Sequence, residues 1–166
     1  MLAAESAAVA KAEAYRELLG QLAALFAGER DGIANAANMS ALLFTALPNL
    51  NWAGFYFLRE HELVLGPFQG KVACVRIPLG RGVCGTAAER RETVIVADVN
   101  AFPGHIACDA ASRSEIVGPL IQQGQLKGVL DLDSSELARF DAQDREGLKA
   151  AAELLLQSSD LEAWTR

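Results

Sequence analysis

Hydrophobic positions recur along the first part of the chain at helical spacing and later at strand spacing. From about Ala3 to Ala27, Val9, Ala12, Leu18, Leu19, Leu22 and Leu25 supply an apolar stripe on an alanine- and leucine-rich background, the pattern of an amphipathic helix. Gly28 and Glu29-Arg30-Asp31-Gly32 read as a turn. A second helix is predicted from about Ile33 to Leu47, stopping where Pro48 disfavours helical backbone before it. The pattern then shortens. Asn51 to Leu58 is aromatic and strand-like, and Arg59-Glu60-His61-Glu62 connects it to Leu63–Phe68 as a hairpin. Lys71 to Leu79 reads as a third strand, Val83 to Arg91 as a short helix, and Thr93 to Ala97 as a fourth strand. A long loop from Asp98 to about Ser112 precedes two more strands, Glu115 to Gln122 and Gln125 to Asp133, joined by a turn at Gly124. Phe140-Asp141-Ala142-Gln143-Asp144 has an N-cap residue with a hydrophobic residue ahead of it and opens a helix to about Gln157.

Two helices, a largely antiparallel sheet and a closing helix predict an α+β arrangement, with the terminal helices on one face of the sheet and loops on the other. Ligand sites then belong on the loop-covered face. A chain of 166 residues is one domain with room for a full core. The net charge of −6 argues against nucleic acid or an anionic membrane as partner, since both reward clustered Lys and Arg. No apolar run approaches the roughly 20 residues of a membrane span. The first residues lack the basic and apolar segments of a signal peptide, which places the chain in the cytoplasm.

That compartment changes the reading of the cysteines. Cys74, Cys84 and Cys108 are the only three, and structural disulfides are uncommon in the cytosol. Three buried thiols acting as small hydrophobes is one reading, and redox chemistry is the other. Cys74 lies in the predicted third strand. Cys84 sits in Gly80-Arg81-Gly82-Val83-Cys84-Gly85-Thr86, a glycine turn entering a helix, and Cys108 in the polar loop Gly104-His105-Ile106-Ala107-Cys108-Asp109. The loop is expected to be exposed, with His105 an exposed histidine. Arg113, or a helical turn near Asp109, is a candidate source of thiolate character for Cys108. The spacings, nine residues between Cys74 and Cys84 and twenty-three between Cys84 and Cys108, lack the close ligand pairs of zinc modules, so no metal is expected. The glycines around Cys84 permit a tight turn more simply than they cradle phosphate.

The last predicted strand carries a second kind of chemistry. Side chains alternate along a strand, so Asp131 and Asp133 share a face, and counting back from Gly124 brings Glu115 near one of them. These carboxylates form either a solvated sheet face or a pocket for an ammonium-bearing ligand, with one carboxyl raised in pKa. Trp52 and Tyr56, four apart on one strand, face the same way. They are either core packing or an aromatic wall beside that acidic floor.

The segments Asn51 to Tyr56, Leu65 to Gly70, Ala73 to Pro78, Gly80 to Thr86, Gly104 to Asp109 and Gly128 to Ser134 together resemble free methionine-(R)-sulfoxide reductase, a stand-alone GAF-domain enzyme family. The likeness spans roughly residues 49 to 155, the GAF core, with residues 1 to 47 as N-terminal helices of a single domain over 1 to 166. It implies a GAF-like α+β fold and the reduction of free methionine-R-sulfoxide. Cys108 attacks the sulfoxide sulfur, Cys74 captures the resulting sulfenic acid as a disulfide, and Cys84 serves as a further resolving or relay thiol. The resemblance also implies Trp52 and Tyr56 as the pocket around the substrate side chain, and Glu115, Asp131 and Asp133 as its acidic partners. A thioredoxin-like reductant closes the cycle, and no cofactor is needed. Gly118 departs from the family pattern, which places a β-branched residue there. The competing reading is a non-enzymatic GAF module that senses a small molecule. The absence of an output domain before Arg166 and the three cysteines count against it, and a purely structural interaction protein ranks third. Exposed apolar surface on the first helix permits a homodimer.

Overall fold

The computed structural model describes residues 2–106 and 108–164. Four helices, α1 (Leu2–Phe26), α2 (Gly32–Ala46), α3 (Gly82–Arg90) and α4 (Ala142–Ser158), accompany six strands. The strands are β1 (Leu50–Arg59), β2 (Glu62–Gly70), β3 (Arg76–Pro78), β4 (Val94–Val96), β5 (Ser114–Gln122) and β6 (Gln125–Ser134). They form one sheet in the order β3-β2-β1-β6-β5-β4, antiparallel at every pairing. The expected α+β arrangement is therefore the observed one.

Alternation along the central strands sorts side chains onto two faces. Ala53, Phe55 and Phe57 of β1, Ile116 and Leu120 of β5, and Leu130 and Leu132 of β6 pack with α1, α2 and α4. Trp52 and Tyr56, Val117 and Val129 point the other way, toward Val83, Cys84, Ala87 and Ala88 of α3. The second face is thus covered by α3 as well as by loops. Asp31 caps α2 by accepting from the N–H groups of Ile33 and Ala34, both at 2.9 Å. Asp141 caps α4 in a reciprocal capping box with Asp144.

The apolar stripe of α1 differs from expectation. The buried positions are Tyr15, Leu18, Leu22 and Phe26, whereas Val9, Ala12 and Leu25 face solvent. The reason is the neighbour. α4 begins only at Ala142, and its Gln143 side chain donates to the Ala8 carbonyl, so the first turns of α1 extend past the start of α4. Beyond them, the Tyr15 ring lies where Gly147 has no Cβ; a Cβ there would fall 2.2 Å from the ring. The third strand also differs. Only Arg76–Pro78 pairs with β2 as a strand, the Val75 carbonyl accepts one more bond from the Leu65 N–H, and residues 71 to 74, Cys74 included, leave the sheet.

α1 is fastened to α4 by charge as well as packing. The fully buried Asp144 carboxylate takes hydrogen bonds from the Tyr15 hydroxyl at 2.8 Å, Lys11 at 2.8 Å and Arg139 at 3.3 Å. Removing one partner from a buried ionic cluster leaves the others uncompensated, typically costing about 3–5 kcal/mol. Asp144→Ala should therefore lower stability by about 3 kcal/mol or more in urea unfolding, with a clear fall in midpoint. An unchanged midpoint would mean that apolar packing alone joins the two helices.

Candidate active site

The register of three strands assembles the acidic group. Glu115 of β5 lies opposite Asp133 of β6, Val117 opposite Asp131, and Asp133 opposite Trp52 of β1. Glu115 and Asp131 are each 6 % exposed, so the solvated-face reading does not hold. Burial pushes the Glu115 carboxyl well above the usual carboxylate range, and the charges of Asp131 and Asp133 push it further. Burial raises Asp131 from 3.8 to about 7, although a hydrogen bond from Cys84 works in the opposite direction. Asp133 is raised for the same first reason, and Ser112 partly offsets it by hydrogen bonding to the carboxylate. The Glu115 carboxyl apart, the buried Asp131 Oδ1 atom has no hydrogen-bond partner among the described residues.

An aromatic wall stands beside this floor. The Trp52 ring stacks on Tyr56 with centroids 5.9 Å apart and on Phe68 at 5.3 Å. Gly54, between them on the same face, makes this stacking feasible: a Cβ there would lie 2.3 Å from the Phe68 Cβ and 2.8 Å from the Trp52 ring. The polar ends of the wall reach out of the sheet. Trp52 Nε1 donates to the Lys71 carbonyl and the Tyr56 hydroxyl to the Cys74 carbonyl, both at 3.1 Å. Those bonds satisfy carbonyls that a continuing strand would have paired, and they tie the segment carrying Cys74 to β1.

Cys74 and Cys108 are joined by a disulfide, with Cα atoms 5.6 Å apart. Cys108 is half-buried rather than exposed, because its loop closes over the same cavity. Cys84 lies in the first turn of α3, and two glycines with positive φ, Gly80 and Gly82, shape its approach. Its buried thiol points at the acids, with Sγ 3.2 Å from Asp131 Oδ2 and 3.9 Å from Glu115 Oε1. Burial, then the charges of Asp131 and Glu115, hold the Cys84 thiol well above its ordinary pKa. A cavity of about 40 Å³ lies among these groups. Of the eight residues expected from the sequence, Cys84, Cys108, Trp52, Tyr56, Glu115, Asp131 and Asp133 line it, and Cys74 joins the site through its bond to Cys108.

His105 is a correction. It is turned inward, its side chain 15 % exposed, with Nε2 3.9 Å from Glu115 Oε2. Burial lowers its pKa. Arg113 is exposed, and the backbone at residues 109 to 111 forms a turn rather than a helix. Ser112 and Asp109 also line the cavity, and both accept hydrogen bonds from Asn51. Only their polar character in a long loop hinted at this.

Comparison with known proteins follows the same geometry. The GAF domain family matches residues 36–157. The free methionine-R-sulfoxide reductase of Escherichia coli is 54 % identical over 153 residues, covering 90 % of this chain and 93 % of that protein. The chain belongs to this reductase family. The Neisseria meningitidis free methionine-R-sulfoxide reductase, solved in complex with its substrate, superimposes with a TM-score of 0.86 at 50 % identity, covering 89 % of each chain. A putative GAF sensor protein from Burkholderia vietnamiensis is similar to the same extent, with a TM-score of 0.87, 59 % identity, and coverage of 90 % of this chain and 95 % of that one. Against the family pattern, Gly118 leaves open space: an added Cβ would have Thr93 Oγ1 at 3.7 Å as its neighbour, and the position lies on the opposite sheet face from the pocket.

Two outcomes follow for this member of the reductase family. A carboxyl whose folded pKa is raised binds its proton more tightly folded than unfolded, so it costs stability as pH climbs from the unfolded toward the folded value. For Asp131 that window runs from 3.8 to about 7. Asp131→Asn should remove that loss, so thermal scans across the window should show the variant gaining on the parent as pH rises. Parallel pH profiles would mean that Asp131 titrates normally. Gly54→Val should displace Trp52 and cut kcat/KM by about tenfold or more, since misplacing binding groups by an ångström carries costs on that scale.

Proposed function

We propose that this protein reduces free L-methionine-(R)-sulfoxide to L-methionine, with Cys108 as nucleophile and Cys74 as the resolving thiol. The observation that carries this reading is the Cys74–Cys108 disulfide, closed over a cavity floored by Glu115, Asp131 and Asp133 and walled by Trp52 and Tyr56. In the reduced protein the Cys108 thiolate attacks the sulfoxide sulfur while a protonated Glu115, held neutral by burial, gives its proton to the oxygen. The oxygen passes to Cys108, methionine leaves, and Cys108 becomes a sulfenic acid. The Cys74 thiol then displaces water from it, forming the disulfide. The sulfoxide sulfur gains two electrons and the cysteine pair loses two, and a thioredoxin-like dithiol returns them.

The pocket also supports the choice of a free amino acid. Carboxylates buried together need a cation, and the substrate ammonium supplies one that a peptide-bound methionine lacks. The dipole end of α3 and Arg81, at the rim, suit the substrate carboxylate. Cys84 acts in this scheme as a relay thiol during recycling. No described helix is long and apolar enough to cross a membrane. We place the protein in the cytoplasm, where thiols are kept reduced between turnovers. A homodimer through α1 would have to engage Val9 or Leu25, since residues sixteen apart lie on nearly opposite sides of a helix with about 3.6 residues per turn.

A sensor module remains the second reading, and turnover separates the two. The R epimer, and not the S epimer, should be consumed with dithiothreitol or a thioredoxin system present. Cys108→Ser should abolish turnover. Cys74→Ser should keep single-turnover reduction while losing thioredoxin-coupled recycling. Intact mass should fall by two units on reaction of the reduced protein, with a Cys74–Cys108 link on mapping. Full activity in Cys108→Ser would reassign the nucleophile, and no turnover of either epimer would favour the sensor.

A further inference from the structure

With Cys74 and Cys108 bonded to each other, Cys84 is the one free thiol, and it is buried among carboxylates. The ligand-type atoms of Cys84, Glu115 and Asp131 all lie within 4.8 Å of one another, and all three residues are buried. Two of the separations are 3.2 Å, from Cys84 Sγ to Asp131 Oδ2, and 3.9 Å, from Cys84 Sγ to Glu115 Oε1. Tetrahedral zinc, with bonds of about 2.3 Å to sulfur and about 2.0–2.2 Å to carboxylate oxygen, sets its ligands roughly 3.5 Å apart. The pair thus brackets the spacing that a small cation requires.

A second observation points to a ligand. Asp131 lines the cavity, and the Glu115 carboxyl apart, its buried Oδ1 has no hydrogen-bond partner among the described residues. Buried carboxylate oxygens are ordinarily satisfied, so this one marks a position where a donor or a cation belongs. The size of the cavity decides which. At about 40 Å³ it has room for a few waters, at roughly 10–15 Å³ for each, and is far below the roughly 300 Å³ of a small-molecule pocket. A bare or hydrated ion therefore fits without any movement of the walls.

We propose that the oxidised protein binds one soft divalent cation of the zinc class, held by the Cys84 thiolate and the Glu115 and Asp131 carboxylates, with water completing the tetrahedron. The site uses one cysteine and not all three, since the other two sulfurs are bonded to each other, and so does not depend on the spacings that argue against a zinc module. Cys84 releases its proton to solvent as the metal–sulfur bond forms, and Glu115 and Asp131 give up the protons they carry as their oxygens bind. The ligand chemistry favours zinc or cobalt over magnesium or calcium, which prefer all-oxygen shells. Because Glu115 and Asp131 are also the proposed partners of the substrate, a bound cation would hold the acidic end of the pocket against it. The metal site itself stands or falls independently of the reductase activity.

The test uses the full-length protein with its disulfide intact, confirmed by a thiol titration that counts one thiol per chain after denaturation. Cobalt(II) chloride is titrated in, and zinc chloride is then added as competitor. The expected result is one cobalt per chain, with a sulfur-to-cobalt charge-transfer band in the near ultraviolet that zinc abolishes. Cys84→Ser should remove the band and weaken binding at least about a hundredfold. Asp131→Asn, which preserves shape, should weaken binding at least about tenfold, the lower range for disturbing a metal site. Circular dichroism establishes that each variant is folded, and Cys84→Ala replaces Cys84→Ser if that variant is not. Absence of a band in the parent protein, a band that survives loss of Cys84, or binding indifferent to Asp131→Asn would overturn the proposal.

Discussion

Glu115 and Asp133 sit directly across from one another on adjacent strands, with Asp131 two residues along on the same face and buried. Like charges in such positions oppose sheet formation, and desolvation adds to the cost. The sheet tolerates them because burial raises all three pKa values, so that protons replace counter-ions. Every other feature of the pocket is arranged around this stored demand for positive charge. Cys84 donates its S–H to Asp131, Ser112 bonds to Asp133, and His105 stands by Glu115. The opposite face of the same strands is plain hydrocarbon, with Ile116, Leu130 and Leu132 packed under the helices. That core holds the register rigid and prevents the acidic face from relaxing into solvent.

The aromatic residues serve both the pocket and the cysteine chemistry. Trp52 and Tyr56 are buried as core residues, so the packing reading of them is correct, yet their polar tips also hold the carbonyls of Lys71 and Cys74. The segment carrying Cys74 is thereby tied to β1 through side chains rather than through a strand ladder. Such a tie positions a thiol near Cys108 without embedding it in the sheet.

The division between what sequence revealed and what it hid follows from range. The α4 cap, the β5–β6 hairpin and the clustering of Glu115 with Asp133 depend on neighbours close in sequence or on strict two-residue alternation. The end of β3, the inward turn of His105 and the exposed Val9 and Leu25 depend on partners far along the chain. Val72, Cys74 and Arg76 alternate like strand residues, but the hydroxyl of Tyr56 decides where the ladder ends, and periodicity does not carry that information. Residue roles followed a different route. The chain's own spacing left the acids open between a solvated face and a pocket, and the family likeness named the substrate before burial of Glu115 and Asp131 ruled out the former.

Selectivity and chemistry then have one physical origin. An ammonium entering the acidic floor replaces protons as the counter-charge, which lets one carboxyl ionise while another remains protonated to act as an acid. A neutral amide in the same place would leave the floor's demand unmet and shift the proton balance the wrong way. In the proposed mechanism the restriction to a free amino acid follows from how the acid is poised. The same argument explains why a small cation competes for that floor once the disulfide has closed. A cavity of about 40 Å³ leaves room for an ion beside carboxylates whose charge is still to be neutralised.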